Sequence, residues 1–177
     1  MKRYLYSPYE LAIIFQYHGI NIVRMTEILD NIYRYDNAFV QCEYRRNQKK
    51  LMFDVMDKMN YLNNQEQFDL EKDDVDKDLS DFGLVNSNGN CDSEEAIDHL
   101  IFKELRIRIL YINKKGYAKM KLRTLLSELG YKRRSPVVIN YIFDCLLFYH
   151  IAVFLKDNTP CEIDKIGLDE TLVFRVV

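Results

Sequence analysis

Apolar residues recur along this chain with two periods, that of a helix over most of its length and that of a strand near its end. Ser7-Pro8-Tyr9-Glu10 carries a helix start, with serine as N-cap, proline at the first helical position and glutamate placed to close a capping box. Leu11, Ile14 and Phe15 follow at helical spacing, and Gly19 marks the stop. A second helix fits 21–33, with Val23, Ile28 and Ile32 among its apolar positions. After a break at Asp36-Asn37, a third and longer helix is predicted over 38–62, where Met52, Val55, Met56 and Met59 recur at three and four. These methionines read as core filler.

The second half begins in the same way. Ser93-Glu94-Glu95 starts a helix predicted to reach Asn113, ahead of a stop at Gly116. A short helix is predicted over 120–129, ended by Gly130, and Ser135-Pro136 starts another that runs to about His150. The period then changes. Ala152-Val153-Phe154-Leu155 and Thr171-Leu172-Val173-Phe174-Arg175-Val176 are short, β-branched and aromatic, and read as a β-hairpin with a long tip. Met52-Phe53-Asp54 resembles Ile142-Phe143-Asp144, and 13–19 resembles 107–116 after a small insertion. The register drifts, so the match fits either an internal duplication, the N-terminal half then repeating the C-terminal one, or chance similarity between helical segments.

The chain has 177 residues, 48% of them apolar, enough for a packed core in one or two small domains. No apolar run approaches the roughly 20 residues of a membrane span, and Lys2-Arg3 does not lead into a cleavable signal. Four cysteines, at 42, 91, 145 and 161, form neither a CxxC pair nor a zinc or disulfide framework. A cytoplasmic or otherwise intracellular protein, not secreted, with no membrane contact and no cofactor, is expected.

Charge divides the chain more sharply than the net −2 suggests. Residues 1–62 carry +2, 63–98 carry −10 and 99–177 carry +6, while 101–138 alone carry +9. The expected organisation is an N-terminal helical domain over 1–62, an acidic linker or loop over 63–92, and a third part over 93–177. The acidic stretch 66–81 reads as a solvated connector or as a mimic of nucleic-acid charge. Asp74, Asp76 and Asp78 alternate as in a calcium loop, but Leu79 stands where that loop needs glycine and Val85 where it needs glutamate.

Leu122-Arg123-Thr124-Leu125-Leu126, then Leu129-Gly130-Tyr131, then Lys132-Arg133-Arg134-Ser135-Pro136 and the closing strands resemble a winged helix-turn-helix. The resemblance covers 120–177 with the preceding helix from about 94. It implies a mainly α fold with a C-terminal β-hairpin, and either DNA binding or protein interaction. In such motifs the second helix enters the major groove by its N-terminal end. Lys132, Arg133 and Arg134 precede that end, Ser135 caps it, and Lys114, Lys115, Lys119 and Lys121 surround the preceding turn as phosphate ligands. Arg133 or Arg134 suits guanine, and Asn140 suits adenine.

Two features oppose this assignment. The helix from 136 to 150 is apolar on nearly every side, and the tip of the hairpin, 156–170, has five acids against two bases. A second basic surface is expected on the third helix, which carries Arg45, Arg46, Lys49 and Lys50, with Gln41, Arg45 and Gln48 or Lys49 on one face away from the methionines.

The sequence holds no HExxH, GxGxxG, GxSxG or GxxxxGK[ST], and Asp54 and Asp57 sit beside Lys58 on a solvated helix face. His18, His99 and His150 fall on different helices, and Cys145 reads as a core thiol. A non-catalytic protein binding double-stranded DNA, a transcriptional or replication regulator, is the first expectation. Single-stranded DNA or RNA is a further target, since thirteen tyrosines and ten phenylalanines permit base stacking. The alternative is a protein-interaction module, an assembly adaptor, a homodimer or an inhibitor of a nucleic-acid enzyme, using helix 136–150 and the acidic stretch.

Overall fold

The computed structural model describes residues 4–68, 93–113 and 115–177, with the backbone alone at 65–68 and 93–98. The chain forms two compact units, Met1–Asp92 and Ser93–Val177. It is mainly helical, with one small three-stranded antiparallel sheet in the second unit. No helix among the described residues is long and apolar enough to cross a membrane.

The first unit starts as its sequence dictates. Ser7 Oγ accepts from Glu10 N at 3.3 Å while Glu10 Oε2 accepts from Ser7 N at 3.0 Å, and helix α1 (Pro8–Tyr17) follows. Gly19 takes φ +60° past its end. Asn21 caps α2 (Ile22–Tyr35), which buries Met25, Ile28, Leu29 and Ile32 at helical spacing. Helix α3 (Gln48–Phe68) packs chiefly on α1 and buries Leu51 and Val55.

The predicted start of α3 at residue 38 is corrected by ten residues. Residues Asn37–Phe39 form a 3-10 turn, and Val40 instead bridges Tyr6 in parallel. The turn that follows is held by Arg45, which donates through Nε to Val40 O and through Nη2 to Ala38 O. Asn47 then starts α3, its Oδ1 accepting from Lys50 N at 3.0 Å. The helix also runs six residues into the expected linker, to Phe68. The rest of that linker, including most of the acidic stretch 66–81, lies outside the described residues.

The second unit has the order α4 (Ser93–Ile107), β1 (Ala118–Lys121), α5 (Leu122–Glu128), α6 (Pro136–Phe148), β2 (Ile151–Phe154) and β3 (Thr171–Val176). The predicted helix to Asn113 is an α-helix only to Ile107 and continues as a π-turn, Arg108–Ile112. The predicted helix over 120–129 gives its first two residues to β1. The sheet order is β1-β3-β2, with Ala118 opposite Phe174 and Val153 opposite the same residue on the other side. Alternation puts Ala118, Ile151, Leu172 and Phe174 on the core face and Lys119, Lys121 and Arg175 on the outer face. The hairpin read from the sequence is present, with Leu155 to Glu170 between its strands. Among the described residues the element order of the first unit does not repeat that of the second, which gives no support to a duplication or to a second winged-helix-like unit.

Inside the second unit, Phe102 of α4 stacks on Tyr149, and buried Arg106 donates through Nη1 to Tyr149 O at 2.6 Å. These contacts fix the end of α6 against α4. The Cys145 thiol is buried 3.9 Å from His99 Nδ1, as expected of a core cysteine.

Candidate nucleic-acid interface

The sequence Gly130-Tyr131-Lys132-Arg133-Arg134-Ser135-Pro136 makes the turn between α5 and α6. Gly130 takes φ +77°, a conformation costly for any residue with a Cβ, and its N–H closes on Ser127 O. Ser135 is extended and its Oγ accepts from Val138 N at 3.3 Å; Pro136 occupies the first turn. The serine hydroxyl is thus the cap of α6, as its position in the sequence implied.

Lys132 and Arg133 are exposed at this corner, and Asn140 is exposed one turn into the helix. Arg134, exposed as well, is also bonded into a neighbouring loop. Its Nη1 donates to Ile163 O at 2.9 Å and to Ile166 O, both in the loop between β2 and β3. That loop is drawn in further at Arg123, whose Nε and Nη2 meet both carboxylate oxygens of Asp169 at 3.0 and 2.9 Å. The paired guanidinium holds the Asp169 carboxyl below its ordinary value. Leu122 N and Arg123 N also donate to Glu170 O and Leu168 O.

The loop and the start of α6 flank an open cavity of about 440 Å³, lined by Arg134, Ser135, Pro136, Ile139, Asn140, Phe143 and Asp164. Sequence reasoning missed Phe143, Asp164 and the Arg123–Asp169 pair. The pair joins residues 46 apart, and no local pattern marks it.

The predicted cations do not all belong to this corner. Lys119 and Lys121 stand on the outer face of the sheet, with Lys119 Nζ 5.2 Å from the Tyr117 ring centre. Lys115 is exposed near Gly116, and Lys114 lies outside the described residues. Arg45, Arg46 and Lys49 belong to the first unit. The helix face expected to carry them does not form, because Arg45 and Arg46 precede α3 and Arg45 is bonded to turn carbonyls. Arg46 and Lys49 are exposed.

Helix α6 has two faces. Val138, Ile139, Ile142, Cys145 and Leu146 are buried. Its other face shows Asn140 and Asp144 among apolar side chains, with Val137 and Leu147 each 78% exposed, Phe143 41% and Phe148 36%. The expectation of a helix apolar on nearly every side therefore holds, but one of its apolar faces meets solvent.

No protein-family model, curated protein or solved structure matches the chain. Chemically, the concavity offers the Arg134 guanidinium, the Asn140 amide, the Phe143 ring and the Asp164 carboxylate, with Lys132 and Arg133 exposed in the turn before it.

Proposed function

We propose that the second unit is a winged helix-turn-helix and that the protein binds double-stranded DNA without catalysis, as a regulator of transcription or replication. The observation that carries this reading is the order α-β-α-α-β-β with the sheet β1-β3-β2, which leaves the capped start of α6 at the surface behind Lys132 and Arg133. In this reading α6 enters the major groove by its first two turns. Lys132 and Arg133 neutralise phosphates and release counterions. Asn140 pairs with an adenine edge, and Val137 packs on a thymine methyl. Ser135 and Arg134 serve the interface indirectly, one by capping α6 and the other by tying down the wing. Lys115, Lys119 and Lys121 add to the field that draws the duplex in.

The test is fluorescence anisotropy with labelled duplex across a salt series, wild type against Lys132→Ala/Arg133→Ala. Affinity falls with salt, and the slope drops by about two in the double variant. No binding by a folded sample at low salt would overturn the reading, and preferential binding of single strands or RNA would redirect it.

A second reading, a protein-interaction module, is favoured by the exposed apolar face of α6. Under it, Leu147→Asp abolishes a complex or a homodimer and leaves salt-dependent DNA binding at zero in both proteins.

A further inference from the structure

The cavity between α6 and the wing has a chemistry that phosphate anchoring does not use. Its volume of about 440 Å³ lies within the roughly 300–1,000 Å³ of small-molecule sites. Ile139 supplies a buried apolar wall, and the half-open ring of Phe143 supplies an aromatic surface. Asn140 and Asp164 are exposed, and among the described residues neither side chain is bonded to another group. Arg134, by contrast, is held in place by the Ile163 and Ile166 carbonyls, so this wall is fixed before any ligand arrives.

Asp164 is the informative group. A carboxylate repels phosphate but accepts through two oxygens. Guanine presents two adjacent N–H donors, N1–H and N2–H, on one edge. Adenine and cytosine set a single amino group beside an acceptor, and uracil and thymine flank one N–H with two carbonyls, so each would hold an acceptor against the carboxylate. The Asn140 amide can donate to O6 or N7 of the same purine, and stacking on Phe143 suits an unpaired base.

We propose that this cavity binds the guanine base of a nucleotide, either as a free mononucleotide or as an unpaired residue in a strand. Asp164 selects the base, Asn140 and Phe143 hold it, and Lys132 and Arg133, next in the chain to the cavity wall, meet its phosphate. The proposal does not rest on duplex binding.

Calorimetric titration of the full chain with GMP, AMP, CMP and UMP tests it, beside a short oligothymidine carrying one central guanosine or one central adenosine. GMP, or the guanosine oligonucleotide, binds about tenfold or more tightly than its adenine counterpart. Asp164→Asn loses that preference, while Phe143→Leu weakens all bases alike by roughly tenfold. GMP binding assigns the free nucleotide as a source; preference confined to the oligonucleotide assigns the strand. Equal binding of GMP and AMP together with equal binding of the two oligonucleotides overturns the proposal, as does a preference that survives Asp164→Asn or a failure of every probe to bind a folded sample. Loss of duplex binding in Lys132→Ala/Arg133→Ala, with no base preference in this titration, overturns the guanine site and leaves DNA binding standing.

Discussion

Arg134, one residue before the cap of α6, donates to Ile163 O at 2.9 Å and to Ile166 O, so the loop between β2 and β3 is fastened to the turn that starts the helix. Removing this guanidinium strands two carbonyls, one of them on fully buried Ile163. Arg134→Ala is expected to cost about 1.5 kcal/mol in chemical denaturation, the low end for hydrogen bonds to a charged donor. It also exposes the loop between β2 and β3 to limited proteolysis. Lys132→Ala, which removes no such bond, leaves both readouts unchanged.

The two faces of α6 give opposite stability effects. Ile142 is fully buried and Leu147 is 78% exposed. Ile142→Ala is expected to cost about 2–5 kcal/mol through lost burial and a cavity. Leu147→Ala stays within about 0.5 kcal/mol of wild type. A large loss in the second variant would mean that Leu147 is covered in solution.

Caps on either side of the basic turn offer a third measurement. Ser135→Ala removes the Oγ that accepts from Val138 N and is expected to cost about 1 kcal/mol. Gly130→Ala meets no atom within 4 Å, so its cost is the backbone strain at φ +77° alone, about 1–2 kcal/mol. Thermal unfolding of the two single variants checks both values.

Tyr44 donates to Asp54 Oδ2 at 2.8 Å, and burial together with that bond pushes its hydroxyl up from 10.0 to about 12. The folded state therefore holds the proton more tightly than the unfolded one. The resulting stabilisation is complete below pH 10 and is lost as pH rises from 10 to about 12. Tyrosinate absorbance should show a group titrating near pH 12 that is missing in Tyr44→Phe. In Asp54→Asn that group returns toward the ordinary value.

Much of the fold was legible because its signals are local. Ser7 and Ser135 cap helices where the Ser-Pro pairs stand, and Gly19 and Gly130 take the positive φ that their stop positions require. Strand β1 was not legible. Its four residues alternate Ala118, Lys119, Met120, Lys121, too short a pattern to outweigh the helix beside it, and only pairing with distant β3 makes them a strand. The start of α3 was misplaced because the Arg45 bonds that stop a helix from forming at residue 38 are a property of the folded turn; Asn47, a good N-cap, was the signal available. At the site, Lys132 and Arg133 were readable from charge. Arg134 was not distinguishable from them, since its carbonyl partners lie 29 and 32 residues further along.

Hydrogen–deuterium exchange of the full chain with and without duplex DNA tests the interface most directly. The expected result is slowed exchange over residues 132–144, the basic turn and the first turns of α6, with no comparable change around Arg46 and Lys49. Bound duplex that slows exchange elsewhere and leaves 132–144 unchanged would contradict the assignment of this corner as the DNA-binding surface.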